Sequence, residues 1–253
     1  MTPLVGSEVE VKAALERAAI YRLLGGAFVS PTPARLEELA LAAATAATAV
    51  TGRLRDKLAR FAIAASEAEP VATANEHVFL FGRQVRCSPY ESAYSGLSPF
   101  GDKTARLADV AGFYAAFGLA PAAAQPDLED HVGAELEFMS ALALKEAWAL
   151  AEGEAGALEV TRAAATKFLT DHLGRWAAAF AAAVEAATPV PFYTAAASLL
   201  AAWVDEEIAA LGATPSRVPG PDAVAGGRAR RARRRRGRAV QVPDGGGAAR
   251  GVG

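Results

Sequence analysis

Cysteine occurs once in the 253-residue chain, at Cys87, and histidine three times, at His77, His131 and His172. A single thiol closes no internal disulfide, which points to a reducing compartment. Three scattered imidazoles leave little for a metal centre. The residues three positions before them are Ala74, Leu128 and Leu169, so the Glu-x-x-His pair of helical di-iron sites never occurs. H-E-x-x-H, C-x-x-C, G-x-S-x-G and the G-x-x-x-x-G-K-[ST] phosphate loop are also missing. No cofactor is expected. No run of about 20 residues is apolar enough to cross a bilayer. Even "WAAAFAAAVEAATPVPF" is broken by Glu185 and two prolines. The start of the chain lacks the basic-then-apolar order of a signal peptide. These absences predict a cytoplasmic protein without membrane insertion.

β-Branched residues are sparse and alanine abundant, as in "LALAAATAATAV" at 39–50. Alanine is the best helix former, so the expected fold class is all-α. Proline and glycine set the boundaries. Helices are expected at 7–29, 34–48, 52–66, about 72–81, 102–117, 128–151, 156–172, 174–187 and 192–211. Asp102 suits an N-cap, and Gly118 and Gly153 suit C-terminal positions. Residues 82–101, "GRQVRCSPYESAYSGLSPFG", read instead as a long ordered loop rich in aromatics: Tyr90, Tyr94 and Phe100.

The formal charge of −2 conceals an asymmetry. Residues 1–227 carry 17 basic and 27 acidic side chains, a net of −10, whereas nine arginines follow Gly227. An acidic body disfavours nucleic acid and favours basic partners, or simply keeps an alanine-rich surface soluble. The expected organisation is one helical domain at 1–213, with subdomains of about 1–120 and 127–213 joined by a hinge. Residues 214–253 are too poor in large apolar side chains to offset their ordering entropy, and are expected to be a disordered tail. "RARRARRRRGR" could bind phosphates at low salt, or dock on the acidic body of its own chain. A late shift of reading frame would also produce such a tail, and resequencing the DNA decides that.

Chemistry concentrates at "PDLEDHVGAELEFM", 126–139. His131 and Glu135 are one helical turn apart and can meet. Glu135 falls inside the apolar stripe of Leu128, Val132, Leu136, Met139, Ala143 and Leu150, so its carboxylate needs a partner. In the simplest account, Asp127, Glu129 and Asp130 complement the helix dipole, and Asp127 or Asp130 caps the helix. His131 then pairs with Glu135. An alternative is a small hydrolase or nucleotide-dependent enzyme using His131 and Glu135 as acid and base, although no nucleophile accompanies them.

"YRLLGGAF", "SPYESAY", "LADVAGFYAAFGL" and "DHVGAELEFMSALALKEAWAL" occur in that order. Over roughly residues 10–210 the chain resembles the TorD/DmsD family of cytoplasmic chaperones for molybdenum-containing redox enzymes. The resemblance implies a compact multi-helix fold with a hinge before the Asp-His helix, and a role that is not enzymatic. It implies binding of a client's twin-arginine signal peptide, and holding of the apo-enzyme until its cofactor is inserted, which prevents premature export. The protein would be a monomer or a domain-swapped dimer. Carried over by position, the ligand surface includes Pro89, Tyr90, Glu91, Asp130 and His131. Asp127, Glu129, Tyr94 and Glu135 join it on chemical grounds. Two departures stand out: Ser88 precedes Pro89 where the family often has a second proline, with Tyr90 in place of tryptophan. Asp127 replaces the usual glutamate. A guanidinium pair followed by an apolar segment requires carboxylates beside apolar surface. Tyr90, Tyr94, Leu97 and Phe100 either supply that surface or fold onto the body as a satellite core.

Overall fold

The structure is a computed structural model that describes residues 8–82, 86–94, 101–120 and 129–219, with the backbone alone at 101–103. Leu97, Phe100, Asp127 and Leu128 lie outside the described residues. The chain divides into two compact units, Met1–Val218 and Pro219–Gly253. Of the second unit only Pro219 is described.

The fold is all-α. The first unit contains α1 (Glu8–Ala27), α2 (Pro33–Ala49), α3 (Gly52–Ser66), α4 (Pro70–Phe81), α5 (Gly101–Ala116), α6 (Val132–Glu152), α7 (Ala155–Asp171), α8 (Leu173–Ala187) and α9 (Pro191–Leu211). Among the described residues no strand is present. One antiparallel bridge, Tyr90 to His131, is the exception to helical pairing. Prolines open α2, α4 and α9, where a missing N–H costs nothing. Thr32 caps α2 by accepting from the Arg35 amide at 3.2 Å. The Glu69 carboxylate caps α4 by accepting from the Val71 and Ala72 amides at 3.1 and 2.6 Å. Gly153 closes α6 with a left-handed φ of 72°, which glycine adopts without steric cost.

Helix α1 lies along α6, α2 along α3, and α9 packs on α8 and α3. A Cβ on Gly25 would stand 3.3 Å from the Gly133 carbonyl oxygen and 3.6 Å from Leu136 Cβ, so glycine permits this close approach of α1 to α6. The predicted stripe of α6 is buried at Val132, Leu136, Met139, Ala143 and Leu150. Beside it runs a charged seam. Arg17 of α1 donates to Glu146 of α6 at 2.6 Å and to Glu207 of α9 at 2.9–3.1 Å. Arg162 of α7 completes it at 2.7 Å from Glu146. Burial alone would lower the Arg17 pKa, but Glu207 and Glu146 hold it above the usual arginine range.

Helix α5 docks through aromatics. Tyr114 meets Phe138 of α6 at 4.9 Å, and Phe113 meets Phe168 of α7 at 5.3 Å. Such contacts fix the face that α5 turns outward. After α9 the chain does not leave the body at once. The Val218 amide donates to the Arg175 carbonyl at 2.9 Å, the Thr214 amide to Thr170 Oγ1 at 3.3 Å, and Arg217 to Asp205 at 2.6 Å. Residues 214–218 therefore belong to the compact unit, not to the tail. Composition missed this because most of their partners are backbone and polar atoms, with Val218 adding a single apolar contact to the core.

Candidate functional site

Loop residues 86–94 are fastened to the start of α6 from both sides of the Tyr90–His131 bridge. The Val132 amide donates to the Pro89 carbonyl at 2.8 Å, and the Glu91 amide donates to the Asp130 carbonyl at 2.9 Å. The Asp130 side chain adds a third bond, accepting from the Ser92 amide at 2.9 Å. Asp130 does not cap α6. The N-cap is His131, whose Nδ1 accepts from the Gly133 amide at 3.0 Å. The helix accordingly begins at Val132, four residues later than expected, because Asp130 is drawn to the loop. The Tyr90 ring stands edge-on to His131 at 5.3 Å.

Glu135 also departs from the simplest account. Its partner is Trp176 of α8, which donates from Nε1 to Oε2 at 3.1 Å, rather than the His131 ring. Its Oε1 has no hydrogen-bond partner among the described residues. Burial, then the nearby Glu91 and Asp130 charges, push its carboxyl well above the ordinary range, although the Trp176 bond opposes them. Burial and the neighbouring charges therefore favour the protonated form of Glu135. A neutral, fully buried carboxyl is poorly placed to serve as a general base.

Glu91 lies under the loop in a short 3-10 turn, Glu91–Ala93. Its Oε2 lies at hydrogen-bond distance, 3.0 Å, from His172 Nδ1. Its Oε1 accepts from Arg106 of α5 at 3.4 Å. His172 sits at the junction of α7 and α8, and its Nε2 is 3.3 Å from Asp109 Oδ2 on α5. Glu91, Asp130 and Glu135 are each at most 1% exposed, and His131 is 6% exposed. Tyr94 is half-buried against Trp176, with ring centroids 5.3 Å apart, so this loop aromatic packs on the core. Glu129 is half-buried, and its carbonyl accepts from Tyr114 Oη at 2.8 Å. Cys87 is buried, its Sγ donates to the Ala183 carbonyl of α8 at 3.2 Å, and burial pushes the thiol up to about 11.

Beside this clamp lies an open cleft of about 810 Å³. Glu91 and His172 form its floor, Arg106 and Asp109 of α5 one wall, and Asp171, Arg175 and the 214–216 segment the other. The structure thus brings Pro89, Tyr90, Glu91, Asp130 and His131 together, with Glu135 just beneath. Sequence reasoning missed Arg106, Asp109, His172 and Trp176. The one available signal was Glu135 in an apolar stripe, which demanded a buried donor without naming it. Among the described residues no cluster of side chains is suited to a metal ion. No described helix is long and apolar enough to cross a membrane.

A family model described as "nitrate reductase delta subunit" matches residues 40–182, a span that contains the clamp, His172 and Trp176. No curated protein matches the chain in sequence. A crystal structure assigned to a redox enzyme maturation protein from Archaeoglobus fulgidus is similar in fold, with a TM-score of 0.50 and 19% identity. The similarity covers 74% of this chain and 93% of that one.

Proposed function

We propose, from the premise that this chain belongs to the nitrate reductase delta subunit family, the TorD-like maturation chaperones of molybdenum-containing redox enzymes, that it binds the twin-arginine leader of an apo-enzyme. Its role is then to hold that client in the cytoplasm while the cofactor is inserted, and to delay export. The observation that carries this reading is the open cleft joined to the loop–helix clamp.

The chemistry divides between two layers. Glu91 and Asp130 are buried and serve from beneath, by fixing the loop, while Glu135 is buried against Trp176. Of the carboxylates lining the cleft, Asp109 is the more open to a basic ligand, with its side chain 65% exposed; Asp171, at 38%, is paired with Lys167, which a ligand would have to displace. A guanidinium reaching Asp109 exchanges hydration for a charge-assisted bond at the rim of a low-dielectric floor. Ala105 and Ala108 of α5 give the apolar part of a leader some surface in the same cleft. The net charge of −10 on residues 1–227 speeds encounter with a basic peptide. No observation favours base or acid catalysis by His131 and Glu135 over this reading.

The test is fluorescence polarisation with a labelled peptide carrying two adjacent arginines and an apolar stretch. Binding is expected to weaken with salt. Replacing Asp109 and Asp171 by Asn should weaken it by roughly 2- to 30-fold, the range for two exposed ion pairs. A folded protein that ignores the peptide, or binds it equally well without both carboxylates, overturns the reading.

A further inference from the structure

We propose that a second cleft, between α3 and α9, binds a phosphate group through Arg53, Lys57 and Arg60 and the Ser198 hydroxyl. It shares no lining residue with the cleft described above and does not depend on the leader reading.

Arg53, Lys57 and Arg60 follow one another at i, i+4 and i+7 of α3, a spacing that turns all three to one face of the helix. With Asp56 of α3 and Ala195 and Ser198 of α9 they line a cleft of about 210 Å³. Lys57 Nζ donates to Ser198 Oγ at 2.5 Å, which holds the ammonium at the cleft wall. An ammonium has three N–H donors, so two remain for a ligand. Among the described residues Arg53, Asp56, Lys57 and Arg60 enter no ion pair. Three cations against one carboxylate give the lining a charge of +2. This crowding is unfavourable by itself. The first turn of α3 carries no acidic residue, and Arg53 there opposes the positive end of the helix dipole. Partial burial, then the Arg53 charge, lower the Lys57 pKa, with Glu185 opposing and Arg60 adding to the effect. An anion seated among the three cations relieves the repulsion.

Size and charge define the class of ligand. Drug-sized molecules take pockets of about 300–1,000 Å³, so this cleft accepts a compact group. A phosphate monoester carries about −1.5 to −2 charges at pH 7, which matches the +2 of the lining. Guanidinium forks bond phosphate oxygens in pairs, and the Lys57 ammonium adds a point charge. A long polyanion is disfavoured, because the net charge of −10 on residues 1–227 repels whatever extends beyond the cleft. The group therefore arrives on a small molecule, as inorganic phosphate or as a phosphomonoester.

The test is a titration of the full chain with inorganic phosphate at constant ionic strength, followed by the amide NMR signals of Lys57 and Ser198. A site-resolved signal separates this cleft from the arginines after Gly227. Both signals should shift and saturate together. Lys57→Met and Arg60→Gln should each weaken binding by at least about five-fold, the upper end for one exposed ion pair. Arg55→Gln, on the same helix but outside the cleft, should change it by less than about two-fold. If Lys57→Met does not fold, the exposed Arg60 still decides. Shifts that never saturate, or an equal loss in Arg55→Gln, mean that phosphate only screens a basic helix, and overturn the proposal. A second titration with glycerol 3-phosphate identifies the source. Equal or tighter binding makes the ligand a phosphomonoester, and rejection of the ester while phosphate still binds makes it the free anion. A single-stranded oligonucleotide that binds through the same residues more tightly than either overturns the compact-ligand proposal.

Discussion

At the scale of single residues the clearest consequence concerns Glu135. Its carboxyl titrates well above the ordinary range, chiefly through burial and then through Glu91 and Asp130. The folded state therefore keeps a proton that the unfolded chain releases near pH 4.3. Stability from this proton is fully present below that value and is lost as pH rises toward the folded-state value, at about 1.4 kcal/mol per pH unit. Glu135→Gln keeps an acceptor for Trp176 and removes the titration. The variant should equal or exceed the native protein in stability at pH 7–8, with the gap shrinking toward pH 4. Urea denaturation across that range measures it, and parallel pH profiles would disprove it. The need of Glu135 for a partner was legible in its position on the helix. The partner was not, because Trp176 lies 41 residues away and packing alone brings it near. The same holds for Glu91 and His172, 81 residues apart.

At the scale of elements, the α1–α6–α9 seam makes a sharper claim than helix propensity does. Glu146 and Glu207 are 5% and 3% exposed, and Arg17 answers both. Replacing Arg17 by Ala leaves buried Glu207 without its cation and Glu146 with Arg162 alone. The expected loss is about 3–5 kcal/mol, read as a fall in the urea midpoint with the helical circular dichroism of the remaining folded protein retained. A change within the range of ordinary surface variants would mean that the carboxylates find water. Most helices were legible, since proline and glycine bracket them and alanine fills them. The start of α6 was not. A reading confined to local sequence assigns Asp130 to the helix it precedes, whereas the loop 38 residues earlier claims its side chain.

For the whole molecule, the compact unit extends to Val218. A chain cut after Pro219 keeps every contact described above, so its melting temperature and peptide affinity should match those of the full chain. A chain cut after Ala213 loses the Val218–Arg175, Thr214–Thr170 and Arg217–Asp205 bonds and one side of the cleft. Each lost bond is worth roughly 0.5–1.5 kcal/mol and each kcal/mol about 2–4 °C, so calorimetry should resolve the two truncations. Peptide affinity should fall only in the shorter one.

Cys87 gives the molecule a clock of its own. The thiol lies in the clamped loop, and its Sγ is bonded to α8. While the loop stays fastened, an alkylating reagent meets neither an accessible sulfur nor, with the pKa at about 11, much thiolate. Modification must wait for the loop to lift. Because the chain has no second cysteine, the alkylation rate of the unaltered protein is a direct count of those openings, free of competing signal.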